Sequence, residues 1–254
     1  MKPLVSVILP VYNGEKFLAY AIEAIKQQNY YPLEILVIDD GSTDETAAIM
    51  ADFQDEIRSF YQDHQGPATA RNYGLRMAQG EIYAFFDVDD LWSEELFEQM
   101  LNQLLDDPTS EIIQGLIQQV LIPELTVNQN HAHTDYDSHQ DIPDKPYRFI
   151  NLTSALYRKS AFEKVGLLDE SLMTGDDLDW FIRAWECRIK KIDFNGVFLI
   201  YRRHKTNITC DTKLVKLGII RSYKNRLDRI KRSPIVSEQD PKEFPSLAQY
   251  INGF

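Results

Sequence analysis

Short apolar runs alternate, along the first third of the chain, with stretches whose apolar positions recur every three or four residues. Leu4-Val5-Ser6-Val7-Ile8-Leu9 reads as a first strand, stopped by Pro10. A turn at Val11-Tyr12-Asn13-Gly14 leads to a helix over 15–28 with Phe17, Leu18, Ala21, Ile22 and Ile25 on one face. Residues 33–38 form a second strand, and Asp39-Asp40-Gly41-Ser42-Thr43-Asp44 marks the N-terminus of a helix at 45–50. A short strand at 57–61, a helix at 68–78 carrying Arg71, and a strand from Ile82 to Phe86 follow. This alternation predicts an α/β fold with a parallel sheet and helices on both faces. Such sheets bind ligands beyond the carboxyl ends of their strands. Pro10-Val11-Tyr12, Asp39-Asp40 and Asp87-Val88-Asp89-Asp90 all fall at those ends.

The last of these is the richest in chemistry. The buried-looking strand Ile82–Phe86 runs straight into three carboxylates, Asp87, Asp89 and Asp90. Like charges so close are unfavourable unless a cation or strong donors sit among them. A hard divalent ion takes one or two carboxylates together with phosphate oxygens, so the stretch points to a metal-diphosphate site. The competing reading, Asp90 capping a helix that begins at Leu91, accounts for one aspartate and leaves two unexplained.

The second half is less regular. A helix is expected at 96–105 and a strand at 111–121, after which 123–147 loses periodicity. That stretch gathers His131, His133 and His139 among Asp135, Asp137 and Asp141, and reads as a solvated acidic loop rather than a metal site. Order returns at 149–158, with a helix at 160–165 and a turn at 166–170. Gly175-Asp176-Asp177-Leu178-Asp179-Trp180 opens another helix with three acids. Carboxylates favour helix N-termini, and a positioned general base has the same appearance; local chemistry does not separate the two. One or two strands at 192–201 precede Arg202-Arg203-His204. From Lys213 to Arg232 there are eight basic residues and one acid, with Leu217, Ile220, Tyr223, Leu227 and Ile230 at helical spacing. The favoured expectation is that this stripe packs on the domain. The alternative is peripheral contact with anionic lipid.

Composition narrows the function classes. A net charge of −12 over 254 residues argues against general nucleic-acid binding. No apolar run approaches the length of a bilayer span, and no signal-peptide pattern opens the chain. Cys187 and Cys210 lack metal-ligand spacing and form no disulfide framework, so a cytoplasmic location is expected, at the inner membrane face if the basic helix docks. In that compartment the sequons at Asn151 and Asn207 carry no meaning.

With its landmarks in order, the chain resembles the inverting, nucleotide-sugar-dependent glycosyltransferases of family 2, which have the GT-A fold. The landmarks are Val5–Asn13, Asp39–Asp44, Ala70-Arg71-Asn72, Asp87–Asp90, Asp176-Asp177 and Tyr201–His204. The resemblance implies a mostly parallel Rossmann-like sheet flanked by helices, with a C-terminal acceptor-side extension. Residues 1–122 would form the nucleotide-sugar half, 123–212 the acceptor and base half, and 213–254 a basic helix and tail.

The same resemblance implies roles. Pro10 and Tyr12 would lie at the nucleobase, with Tyr12 stacking on it, Asp40 accepting from its imide and Asp39 beside it. Arg71 would meet the diphosphate with its forked donors. Asp87 and Asp89 would be the DxD pair, dividing ribose and Mn²⁺ or Mg²⁺ between them with Asp90 behind. His204, supported by Arg202, would sit near the metal or the departing diphosphate. Asp177 matches the catalytic base, Asp176 replaces a common Glu beside it, and Asp179 and Trp180 would line the acceptor pocket. A uridine diphosphate sugar is the default donor and a glycan or lipid-linked hydroxyl the acceptor. The lack of a Gln-x-x-Arg-Trp motif argues against the processive synthase branch. A silent sugar-nucleotide-binding protein is the rival from another class. An aspartate-dependent phosphotransferase is the rival enzyme, disfavoured because Leu91 stands where that chemistry usually has Thr or Val.

Overall fold

A computed structural model describes residues 2–122, 143, 145–204, 207–232 and 244–252. In chain order the elements are β1 (Val5–Val11), α1 (Leu18–Lys26), β2 (Leu33–Asp39), α2 (Thr46–Asp52), β3 (Arg58–Tyr61), α3 (Pro67–Met77), β4 (Ile82–Phe85), β5 (Leu91–Trp92) and α4 (Leu96–Asp106). Then come β6 (Ile112–Leu121), β7 (Ala155–Arg158), α5 (Lys159–Val165), α6 (Asp176–Glu186), β8 (Lys191–Arg203), α7 (Thr212–Arg232) and α8 (Leu247–Asn252). The histidine-rich stretch with His131, His133 and His139 lies outside the described residues.

One curled sheet of eight strands, in the order β3-β2-β1-β4-β7-β6-β8-β5, joins both halves of the chain. Its first four strands are parallel, as is β6 with β8. β7 runs antiparallel to β4 and β6, and β5 antiparallel to β8, so the sheet is mostly parallel rather than wholly so. From β1 the chain winds outward to β2 and β3, then returns to place β4 on the other side of β1. That reversal opens a crevice at the carboxyl ends of β1 and β4, the usual place for a ligand in such sheets.

Both faces of the sheet are covered, which is why β1 is buried at every position. Val5, Val7, Leu9 and Val11 join a core with α1 and α4, whereas Ile8 joins one with α3, α5 and α6. Two boundaries differ from the sequence reading. Pro10 does not stop β1; it pairs in register with Ile38, two residues beyond Ile8, the last residue matched by β4. An imide without an N–H is tolerated where the ladder on one side has ended. The competing reading of a helix capped by Asp90 fails as well: residues 91 and 92 form β5, with Leu91 opposite Ile200 and Trp92 opposite Leu199. Burial decides this: the Trp92 ring meets Phe86, Phe97 and Phe198, and its indole N–H donates to Thr153 O at 2.9 Å.

Candidate active site

At the crevice, two loops are laced together before any ligand is considered. Asn13, with φ of 51°, donates its backbone N–H to Ser42 Oγ at 2.8 Å and accepts the Thr43 amide on Oδ1 at 2.8 Å. Asn is among the few side-chain-bearing residues that adopt this backbone region readily. Tyr12 stands beside it, 48% exposed, with its ring stacked on His64 at 4.0 Å. Pro10 is buried beneath them inside β1.

Asp39 and Asp40 are both buried and differ in what they hold. Asp39 accepts the Ser42 amide at 2.8 Å through Oδ1. Asp40 accepts the Gln65 amide at 2.8 Å and the Gln62 side chain at 2.7 Å on Oδ1, and the Gly66 amide at 2.9 Å on Oδ2. His64 Nδ1 lies 2.9 Å from the same Oδ2. A carboxylate offers about four acceptor positions, so Asp40 is committed to fixing the turn that begins α3.

β5 dictates the shape of the acidic loop. By pairing with β8 it draws residues 87–90 over the end of that strand. Asp90 becomes fully buried, accepts the Arg202 amide at 3.0 Å on Oδ1, and keeps Oδ2 without a partner among the described residues. Burial first, then the charges of Asp89 and Asp87, raise its pKa well above the usual carboxylate range. Asp89 Oδ2 accepts from Asn207 Nδ2 at 2.9 Å and lies 3.0 Å from His204 Nε2. Arg202 Nε donates to the Asp89 carbonyl, and its guanidinium lies 5.3 Å above the Phe17 ring, which also stacks on His204 at 5.3 Å.

Arg71 links this loop to the N-terminus of α6. Nη2 donates to Asp87 at 2.7 Å and Nη1 to Asp176 at 3.0 Å. Burial by itself would lower the guanidinium's pKa, but the charges of Asp87 and Asp176 outweigh it and raise it. Asp177, half-buried beside Asp176, accepts the Leu178 amide at 2.7 Å. Burial, then the Asp176 charge, push its pKa up to about 7 against the opposing pull of that amide and Arg71. α6 is anchored by Trp180, which is fully buried, stacks on Phe162 at 4.4 Å and donates to Gly166 O at 2.9 Å.

Comparison with known proteins then decides the family. The model for glycosyl transferase family 2 matches residues 6–166. The chain belongs to glycosyl transferase family 2. This glycosyltransferase is 31% identical over 219 residues to an uncharacterised glycosyltransferase of Rickettsia typhi, covering 85% of this chain and 68% of that protein. It is 28% identical over 233 residues to the uncharacterised glycosyltransferase EpsJ of Bacillus subtilis, covering 82% and 64%. It spans only 34% of a similar Rickettsia felis protein. Among solved structures, a mannosyltransferase of Pyrobaculum calidifontis, in complex with GDP-Man and Mn²⁺, superposes with a TM-score of 0.68 at 18% identity, over 98% of this chain and 69% of that one. S. aureus TarS in complex with UDP-GlcNAc gives a TM-score of 0.60 at 19% identity, over 82% and 60%. These likenesses establish the GT-A fold.

Against that frame, Tyr12, Asp39, Arg71, Asp87, Asp89, Asp90, Asp176, Asp177, Arg202 and His204 of this glycosyltransferase converge on the crevice and its rim. Asp179 and Trp180 do not join that group: Asp179 lines a separate cleft with Arg183, Asn225 and Arg229. Asp179 is buried against Arg183 at 2.8 Å and Arg229 at 3.1 Å, and Trp180 is core. His64, Asn207 and Phe17 escaped the sequence reading as site residues. In the sequence Asn207 shows only as part of a sequon, and Phe17 as one member of an apolar helix face. Only the spacing His204-x-x-Asn207 beside the acidic loop offered a signal.

Proposed function

We propose that this chain transfers a sugar from a nucleoside diphosphate donor, UDP-linked by default, to a hydroxyl of a glycan or lipid-linked acceptor with inversion. The reading rests on the Arg71 bridge. One guanidinium joins Asp87 of the donor loop to Asp176, the neighbour of a carboxyl whose pKa is near neutrality. In-line displacement needs a base on one side of the anomeric carbon and a diphosphate acceptor of charge on the other. The bridge ties the residue next to Asp177 and the acidic loop to one cation, which supports a base and a donor site side by side.

In this reading the nucleobase stacks on the open face of Tyr12, and its imide donates to Asp39. Asp40, whose oxygens are taken by the protein, supports the turn instead. Arg71, with N–H groups beyond its two carboxylate contacts, steadies the diphosphate. Asp177, near neutral pH, takes the proton from the acceptor hydroxyl as its oxygen bonds to the anomeric carbon and the bond to the diphosphate breaks. Among the described residues no three His, Cys, Asp or Glu side chains gather to hold an ion unaided. The oxygen-rich set of Asp89, the unpartnered Asp90 Oδ2 and His204 fits Mn²⁺ or Mg²⁺ whose remaining ligands are phosphate oxygens. Such an ion, when bound, neutralises charge on the leaving diphosphate.

A donor panel of UDP-glucose, UDP-GlcNAc and GDP-mannose, with Mn²⁺ or Mg²⁺, tests the proposal through nucleoside diphosphate release. Ion-stimulated release from one donor, lost in Asp89→Ala, is expected. Binding of a donor with no release under any condition would instead make the chain a silent sugar-nucleotide-binding protein.

A further inference from the structure

α7 packs by its polar side. Ser222 Oγ donates to Gly175 O at 2.9 Å, and Thr174 Oγ1 donates to Leu214 O at 2.9 Å. Gly218 presses so closely on this loop that a Cβ there would stand 2.3 Å from Thr174 O. Asn225 donates to Asp169 at 2.9 Å and Arg229 to Glu186 at 2.8 Å. The apolar stripe expected to pack on the domain therefore faces outward: Leu217 is 49% exposed, Ile220 63%, Tyr223 44% and Leu227 55%. Small and hydrogen-bonding residues have taken the inner face because it meets backbone carbonyls and acids, not an apolar surface.

At about 100° per residue, the helix has three arcs. Gly218, Ser222, Asn225 and Arg229 form the inner one. Ile219, Ile220, Tyr223 and Leu227 form an apolar outer arc. Lys213, Arg221, Lys224 and Lys231, all exposed, form a basic arc beside it, which also holds Leu217 and Asp228, the latter 3.6 Å from Lys231. An exposed apolar ridge of this length marks an interaction surface. Its charge identifies the occupant, because on a chain of net charge −12 this one helix carries eight basic residues against a single acid, Asp228, and four of the exposed ones flank the ridge. A second copy related by two-fold symmetry would set basic arc near basic arc. No helix among the described residues is long and apolar enough to cross a membrane, so α7 would lie on a surface rather than span it.

We propose that the outer face of α7 docks on the surface of an anionic phospholipid bilayer, with the apolar arc entering the headgroup boundary and the basic arc meeting lipid phosphates. Because α7 holds Thr174 and Gly175 directly, docking would bring the N-terminus of α6, with Asp176 and Asp177, to the interface. Given the transfer reaction proposed above, an acceptor hydroxyl carried on a lipid would meet Asp177 there.

The test is sedimentation of the full chain with vesicles of phosphatidylglycerol and phosphatidylcholine, against phosphatidylcholine alone, at low and high salt. It needs no donor, so its failure is separable from failure of the proposed reaction. Partition onto anionic vesicles should exceed that onto neutral ones at least about tenfold at low salt and fall at high salt. Two variant sets, Ile220→Ser with Leu227→Ser and Lys213→Glu with Arg221→Glu and Lys224→Glu, should each reduce it about tenfold or more while leaving the melting temperature and soluble donor hydrolysis unchanged. Equal, negligible binding to both vesicle types would overturn the proposal, as would anionic binding that both sets leave intact. Concentration-dependent dimerisation abolished by Ile220→Ser would give the face to a second copy instead.

Discussion

Asp177→Asn separates stability from catalysis at this site. Its carboxyl titrates near 7 rather than at the ordinary 3.8, chiefly because the fold buries it and then because Asp176 lies beside it. The folded chain therefore holds this proton more tightly than the unfolded chain does. Below about pH 4 both states are protonated and the site costs nothing; between about 4 and 7 the cost grows, and above 7 it is fully present. At about 1.4 kcal/mol per pH unit, the cost of ionising Asp177 in the fold is at most about 4 kcal/mol. An asparagine keeps the oxygen that accepts the Leu178 amide and never ionises. The variant should match wild type in stability near pH 4 and exceed it at pH 8, with a melting temperature higher by up to about 8–16 °C for a chain of this size. Its transfer rate should fall by about 10²–10⁴-fold with donor affinity nearly intact. Wild-type turnover should climb with pH and level off above about 7. Thermal melts from pH 4 to 8, paired with nucleoside diphosphate release over the same range, measure both. A stability difference that does not vary with pH, or a flat rate profile from pH 5 to 8, would refute the reasoning.

Three further substitutions probe the surrounding scaffold. Asn207→Ala removes one donor from Asp89 and should weaken calorimetric affinity for UDP in Mn²⁺ by about fivefold, from the loss of about 1 kcal/mol; unchanged affinity would mean that Asp89 needs no such support. Asp40→Asn should lower urea-denaturation stability by about 1–3 kcal/mol because the turn before α3 loses one of its two acceptor oxygens and the charge on it, whereas Asp39→Asn should spare stability and weaken UDP binding about tenfold, the value of one charge-assisted hydrogen bond; the reverse pattern would return the base-facing role to Asp40. Gly218→Val should destabilise the fold by about 1–3 kcal/mol by forcing α7 off Thr174, and should depress turnover more than donor affinity; an unaltered melt and rate would show that the contact gives way freely.

Hydrophobic periodicity exposed most of this fold because most of its strands and helices bury one clear stripe or an entire apolar run. β1, β2 and α1 are of that kind, and their boundaries moved by only a few residues. β5 was not legible. Leu91-Trp92 is too short to show a period, and its partner lies more than a hundred residues away in β8. Local signals at that point favour a helix, and only the tertiary burial of Trp92 among Phe86, Phe97 and Phe198 overrides them. The antiparallel entry of β7 was hidden for a related reason: strand direction depends on where the intervening chain runs, and alternation carries no record of it.

The site residues divide along the same line. Asp87, Asp89 and Asp90 were conspicuous because clustered charge at a strand end has few structural explanations. Asp179 and Trp180 were misassigned because a helix that begins with acids looks the same whether those acids face a substrate or a pair of arginines. α7 reverses an assumption that underlies the reading of any amphipathic helix, namely that the apolar side faces inward. That holds when the receiving surface is apolar. Here it consists of the Thr174 and Gly175 carbonyls with Asp169, Asp179 and Glu186, and these can be satisfied only by hydroxyl, amide and guanidinium donors. The acids that begin and flank α6 thus determine which side of α7 packs inward, and so turn its apolar arc outward. The placement of α6 and the exposed ridge therefore follow from one arrangement of charge. A substitution that neutralised Asp179 and Glu186 would be expected to loosen both together.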